Sequence, residues 1–309
     1  MARALKSSLG REPTGITTLS CPVCAGNEWS RDLIAGRILG LSERHSVLLC
    51  LACGQRRLEP QLSAVELREL YSGAYFNSKQ ALANSESEIA APAADYLSEV
   101  VPERYAKFAK TVKAFRKLNP AAKTLLDVGA ATGDFVKIAR DEGFEAEGIE
   151  FSEVAIAMAN DRHSIKLERL ALAEVQRDGF YDCIHLNHVF EHFNEPVAEL
   201  SHIYRLLSER GLLYIEVPYQ FNVVEKWMFR LSRREEKFSL HSLHHPYFYT
   251  PRSIVRLLRA KGFEVIETCV FDSTRYEAAT FREKTKKLLW WVLAKISVGN
   301  YIEIYARRK

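Results

Sequence analysis

Residues 124–150 constrain this chain more than any other stretch: Thr-Leu-Leu-Asp-Val-Gly-Ala-Ala-Thr-Gly-Asp-Phe, a short helical pattern, then Glu-Gly-Ile-Glu. The apolar run ending in Asp127-Val128-Gly129 predicts a buried parallel strand that turns sharply at its carboxyl end. Gly129 and Gly133 bracket the turn, where backbone is expected to pass close to a ligand and a side chain would block the approach. A second apolar strand ends at Glu150, where a carboxylate can hydrogen-bond a ribose diol. The implied ligand is a nucleoside.

The glycine pattern separates two kinds of nucleoside site. A dinucleotide site needs a third glycine for helix packing and a helix amino terminus aimed at a pyrophosphate. Here Asp127 and Asp134 flank the loop Gly129-Ala130-Ala131-Thr132-Gly133. They would repel a pyrophosphate but suit a ligand with an ammonium group and a sulfonium. The stretch resembles motif I of the class I S-adenosylmethionine (SAM)-dependent methyltransferases, with Ala131 where a middle glycine is common. That resemblance implies a SAM site built from Asp127, Gly129, Ala131, Gly133 and Glu150, the last gripping the ribose with Phe151 beside it. It also puts Leu172-Ala173-Glu174 at the adenine side, where the usual polar residue is missing and contact through backbone is expected. Asn187 ends a buried strand, Tyr181–Asn187, that opens onto the same crevice.

The rest of the chain extends this pattern. Leu212–Pro218, Gly262–Ile266 and Tyr301–Tyr305 are further strands, and Thr250-Pro251 opens a helix through Ala260 with proline at its start. The expected fold is α/β: a Rossmann-like seven-stranded SAM-methyltransferase sheet with helices on both faces and a final antiparallel strand. A chain of 309 residues accommodates one large domain and a small one. The expected division is a zinc ribbon at 15–62, a helical linker or lid at 63–118 and the methyltransferase domain at 119–309, with a substrate insertion at 219–249. No run approaches the ~18 apolar residues of a transmembrane helix. The basic amino terminus lacks the apolar core of a secretory signal. Cytoplasmic residence is the expectation.

Cys21-Pro22-Val23-Cys24 and Cys50-Leu51-Ala52-Cys53-Gly54 repeat a CxxC spacing. Without an export signal, that spacing argues for zinc over disulfides. Two such knuckles complete a tetrahedral, closed and therefore structural four-thiolate site. A redox dithiol is the rival reading. Cys183 and Cys269, inside apolar strand patterns, are expected to be core thiols. The order of ribbon, Tyr71-Ser72-Gly73-Ala74-Tyr75-Phe76 and catalytic domain resembles bacterial methyltransferases encoded with sugar and surface-polysaccharide biosynthesis. Their ribbons end in a phrase like "CGLVFLDP"; here Arg56 and Arg57 stand where that phrase is apolar.

Methyl transfer to oxygen needs a base for the hydroxyl proton, and histidine is the usual one. His188 and His192 follow the strand that ends at Asn187, and the insertion supplies His244 and His245. Of these four, His192 and His245 are the preferred bases. The spacing His188-x-x-Glu191-His192 also resembles Glu-x-x-Glu-His arrangements that bind a divalent ion in some RNA and quinone O-methyltransferases, with His188 in place of the first glutamate. A divalent metal at the active site is therefore a second possibility.

Charge is unevenly spread. Residues 1–62 hold 8 Lys+Arg against 5 Asp+Glu, residues 63–222 hold 17 against 25, and residues 223–309 hold 18 against 9. A basic carboxyl third suits an anionic substrate, RNA or a membrane surface. The insertion's Trp227, Phe229, Arg230, Arg233 and Arg234 could hold a ring or a phosphorylated sugar. The segment 284–296 sets Trp290 and Trp291 among lysines, as a core helix or a peripheral membrane contact. The leading function is methylation of a small-molecule hydroxyl on a sugar or glycan precursor. An RNA methyltransferase and a non-catalytic SAM-fold scaffold are the alternatives. The ribbon's small charge excess and the lack of an interleaved basic-aromatic platform speak against nucleic acid. Oligomeric state is left open.

Overall fold

The computed structural model describes residues 19–41, 44–63, 65–66, 102–232, 244–271 and 299–309. The chain begins with a small unit: β1 (Trp29–Arg31), α1 (Leu33–Leu39), β2 (Ser46–Cys50) and β3 (Arg56–Glu59). The larger unit opens with α2 (Pro102–Leu118), β4 (Thr124–Val128), α3 (Asp134–Asp141), β5 (Glu145–Ile149) and α4 (Glu153–His163). It continues with β6 (Tyr181–Asn187), α5 (Pro196–Leu206), β7 (Leu207–Pro218) and α6 (Val223–Ser232). It ends with β8 (Tyr247–Phe248), α7 (Pro251–Ala260), β9 (Phe263–Phe271) and β10 (Tyr301–Arg308). Of the expected linker or lid, residues 63 and 65–66 and α2 are described. The tail segment 284–296, Arg233, Arg234 and residues 71–76 lie outside the described residues. No helix among the described residues is long and apolar enough to cross a membrane.

The larger sheet runs β5-β4-β6-β7-β10-β9. Its first four strands are parallel, and β10 lies antiparallel between β7 and β9. Alternation along each strand sends neighbouring residues to opposite faces. Leu125, Cys183 and Leu212 pack under α2, α3 and α4 with Val112, Phe115, Phe135 and Ala159. Leu126, Ile184 and Leu213 pack under α5 and α7 with Leu200, Ile203, Ile254 and Leu257. Both faces are covered, as a parallel sheet requires. The helix at Pro251 starts as its sequence indicates, with Thr250 Oγ1 accepting from Ser253 N at 3.1 Å.

The expected seven strands are corrected to six among the described residues. Next to β5 the chain makes one parallel bridge, Ile149↔Glu168. Glu168 N donates to Gly148 O and Glu150 N to Glu168 O, both at 3.0 Å. The chain then leaves the edge for a 3₁₀ turn at Leu172–Glu174 that buries Leu172. The would-be seventh strand ends after one rung.

The two units share a sheet. β3 pairs antiparallel with β8 from the insertion, Arg56 opposite Phe248 and Arg57 opposite Tyr247, giving the order β1-β2-β3-β8. Leu58 N donates to Pro246 O at 3.0 Å, and Gln55 Nε2 to Phe248 O at 3.1 Å. A shared apolar cluster joins Ile38, Val47 and Leu58 to Phe221, Phe229 and Phe248. The boundary expected at residue 62 divides the chain but not its packing. Phe229 is therefore a seam residue, while Trp227 is exposed.

Candidate active site

The turn after β4 takes three left-handed residues: Gly129 (φ 69°), Ala131 (φ 46°) and Gly133 (φ 74°). Glycine carries that conformation without strain. The neighbours that exclude a side chain belong to the protein. A Cβ on Gly129 would sit 2.5 Å from Val189 Cγ2, and one on Gly133 would sit 3.1 Å from Ala159 Cβ.

Glu150 closes the loop. Its Oε2 accepts from Ala131 N at 2.9 Å, and its Oε1 from Phe151 N at 2.7 Å and Ser152 N at 3.0 Å. Burial nonetheless pushes its carboxyl up, against the pull of those three amides. A carboxylate has about four acceptor positions, so one remains for a ligand hydroxyl. Phe151 lies half-exposed beside it.

Asp127 is buried at the end of β4, and burial pushes its carboxyl up as well. His185 Nδ1 lies 2.7 Å from Asp127 Oδ1, and its ring stacks on Phe135 at a centroid distance of 3.5 Å. Asp134, paired with Asp127 in the sequence reading, is engaged elsewhere. It accepts from Tyr105 Oη at 2.7 Å and Thr132 Oγ1 at 3.0 Å, and meets His163 Nε2 at 2.7 Å. Those bonds outweigh burial and hold its carboxyl low. Asp127 and Glu150 thus stand near the ends of adjacent strands, whereas Asp134 braces α2 against α3.

A second cluster lies at the ends of β6 and β7. Lys107 Nζ donates to Asn187 Oδ1 at 2.6 Å and also to Glu216 Oε1. His188, left-handed at φ 56°, sets Nε2 at 3.2 Å from Glu216 Oε1 and Nδ1 at 3.4 Å from Glu191 Oε1. Such strain in a non-glycine residue persists where its surroundings enforce it. Burial disfavours charge on His188, but the two carboxylates outweigh burial and raise it to about 9. Burial likewise opposes charge on Glu216, yet Lys107 and His188 hold it down at about 2. His188 is an imidazolium at neutral pH and is unsuited to be the base.

His192 differs: burial lowers its pKa and keeps the ring neutral. Its Nδ1 lies 3.0 Å from His244 O, and only a protonated Nδ1 can donate to a carbonyl, so Nε2 is the basic atom. The rings of His192 and His245 lie 4.7 Å apart. Glu191 Oε1 is 3.9 Å from His192 Nε2. Glu191 therefore stands between the predicted catalytic histidines, with His188 on one side and His192, beside His245, on the other. Sequence reasoning missed Lys107, His185 and Glu216. A lone carboxylate in the apolar run Leu212–Val217 was a usable signal for Glu216, since a buried charge needs a partner. Nothing in the sequence around Lys107 marks it.

In the small unit, Cys21 Sγ lies 3.6 Å from Cys53 Sγ, and Cys24 Sγ 3.6 Å from Cys50 Sγ. A tetrahedron of ~2.3 Å zinc–sulfur bonds has edges of about 3.8 Å, so the four sulfurs fit one such ion. Ala25 and Gly54, at matching places in the two knuckles, both take left-handed φ, at 59° and 77°. The arginines that depart from the ribbon phrase have structural partners. Arg56 Nε meets Asp32 Oδ2 at 2.8 Å, and the Arg57 guanidinium lies over Trp29 and Tyr247.

Parallel strands feeding this loop, with acidic ends and helices on both faces, define a class I SAM-dependent methyltransferase domain. Residues 101–268 match the family described as a methyltransferase domain, and the chain belongs to that family. It is 33% identical over 106 residues to a protein named as a methyltransferase from Geobacillus sp. (strain WCH70), covering 31% of this chain and 42% of the other. The chain thus spans less than half the length of that relative. It is 25% identical over 177 residues to the demethylmenaquinone methyltransferase of Thermus thermophilus, covering 53% of this chain and 80% of the other. Among solved structures, the Burkholderia thailandensis 1,6-didemethyltoxoflavin-N1-methyltransferase matches 87% of this chain and 97% of its own, at 12% identity and a TM-score of 0.50. That last likeness concerns the fold alone.

Proposed function

We propose that this protein transfers the SAM methyl group to a hydroxyl of a small-molecule acceptor, a sugar or glycan precursor, in the cytoplasm. The observation that carries this reading is the meeting of His192, whose ring burial keeps neutral, with His245 and buried Glu191 beside the predicted cofactor crevice. When bound, SAM supplies an electrophilic methyl whose sulfur keeps the bonding electron pair as the acceptor oxygen takes the carbon. The chain's own work is alignment and proton uptake. Asp127 and Glu150 hold the cofactor, with Gly129, Ala131 and Gly133 shaping its loop and Phe151, Leu172 and Asn187 bounding it. Lys107 steadies Asn187 and Glu216. Charged His188 orients Glu191, and the cluster of Glu191, His192 and His245 takes up the acceptor's proton.

In the ribbon, Cys21, Cys24, Cys50 and Cys53 hold a structural zinc ion. A small acceptor is favoured over RNA because Arg56 and Arg57 are engaged by Asp32, Trp29 and Tyr247 rather than offered to a phosphate backbone. The test is incubation with methyl-labelled SAM and separate pools of nucleotide sugars, lipid-linked glycans and total RNA. Label should enter a sugar-containing fraction. Label in RNA alone would overturn the acceptor class.

A further inference from the structure

The spacing His188-x-x-Glu191-His192 does not converge on one point in three dimensions. His188 turns toward Glu216 and Glu191. His192 instead meets two residues from the insertion, and ring nitrogens of His192, His244 and His245 all lie within 4.8 Å of one another. We propose that His192, His244 and His245 form a binding site for a divalent transition-metal ion at the seam between the ribbon and the catalytic domain. The inference rests on the acceptor-side reading above, but a ligated His192 Nε2 cannot also be the base, so the proton falls to Glu191.

Three nitrogens bound at ~2.0–2.1 Å around a tetrahedral ion are about 3.4 Å apart, so modest ring rotations would close this group onto one centre. Imidazole donors select zinc, cobalt, nickel, iron or copper over magnesium and calcium. One outer hydrogen bond is of the kind a ligating histidine needs, and a second contact would become so if the Gln220 amide turned its oxygen to His245 Nδ1. His192 Nδ1–H donates to His244 O at 3.0 Å, which aims Nε2. His245 Nδ1 lies 3.4 Å from the Gln220 side-chain amide, either end of which can face the ring. Backbone rigidity comes from the seam, where Leu58 N donates to Pro246 O directly after His245.

Glu191 supplies an independent observation. It is 2% exposed, and its Oε2 is buried without a hydrogen-bond partner among the described residues. A buried carboxylate with an unsatisfied oxygen is costly, and a divalent ion held by the neighbouring His192 would offset that cost. Three protein ligands leave a fourth position open, unlike the closed four-cysteine set. An acceptor hydroxyl at that position would have its pKa lowered, and Glu191, with Oε1 at 3.9 Å from His192 Nε2, would take its proton.

Cobalt(II) titration of the full chain tests this by absorption spectroscopy, because thiolate-to-cobalt charge transfer marks the cysteine site and is absent from an all-imidazole site. Wild type should take up one equivalent without the thiolate band. His244→Ala and, separately, His245→Asn should lose that equivalent or weaken it at least ~100-fold, while retaining thiolate-bound cobalt and S-adenosylhomocysteine binding as checks on folding. A wild-type protein that takes up only thiolate-bound cobalt overturns the proposal, as do variants that bind like wild type. Methyl transfer measured in parallel separates the two readings: no second equivalent, with turnover still lost in His192→Ala, removes the metal and leaves the imidazole base intact.

Discussion

At the cofactor loop, Glu150 reaches back 19 residues to the Ala131 amide and forward to the next two, so the turn is held by its own neighbourhood. At the histidine seam, His192 meets His244 across 52 residues, and His244 and His245 directly precede the segment that the ribbon holds by strand pairing and Gln55. One region is assembled by local chain geometry, the other by a long-range contact. The first should therefore tolerate damage elsewhere in the molecule. The second should fail whenever the ribbon does.

Breaking the ribbon is the strongest way to test that contrast. Cys21→Ser or Cys50→Ser removes a thiolate from the proposed zinc site, and loss of such an ion is expected to loosen a unit this small. Turnover should fall to background and amide exchange should rise across residues 244–249, while S-adenosylhomocysteine binding persists. Retained exchange protection at 244–249 would break the comparison.

His192→Ala acts inside the seam alone. Turnover should drop by roughly 10²–10⁴, the usual loss for a group that handles the proton, with S-adenosylhomocysteine affinity changed less than about twofold. Equal losses in turnover and cofactor affinity would merge the two regions into one.

Glu150→Ala is the complementary change. It removes charge-assisted hydrogen bonds worth ~1.5–3 kcal/mol, so calorimetry should find cofactor binding about 10- to 100-fold weaker with the ribbon still folded. An unchanged affinity would mean that Glu150 serves the turn and not the ligand.

The smallest effect concerns His188. A group whose folded pKa is raised to about 9 adds stability that is fully present below its ordinary value of 6.5 and lost as pH climbs through about 9. His188→Asn keeps a residue that accepts left-handed backbone while removing the charge. Denaturant unfolding from pH 6 to 9.5 should therefore show a shallower alkaline decline in the variant. Parallel curves for variant and wild type would leave Glu191 and Glu216 without their assigned cation.

The sites were legible to different degrees for reasons visible in these residues. Asp127, Gly129, Gly133 and Glu150 announce themselves because a sharp turn between two buried strands admits few residue types, and the cysteine pairs because two knuckles need a fixed spacing. Asp134 misled, since its charge could be read but not the hydroxyl and imidazole that engage it from α2 and α4. The seventh strand came from the resemblance and not from any run of residues, and beside β5 the chain makes one bridge at Glu168 before it turns away.

The sequence by itself determined the parallel α/β sheet, the methyltransferase loop, the paired cysteine knuckles and the helix start at Pro251, each encoded within a few turns of chain. Only the tertiary structure decided that the ribbon extends its sheet with β8, and that Lys107 and His188 neutralise Glu216. It alone also decided that His192, His244 and His245 converge while His188 turns away. Those outcomes depend on which distant backbone satisfies an exposed strand edge and which distant charge satisfies a buried one, and residue spacing carries no record of either.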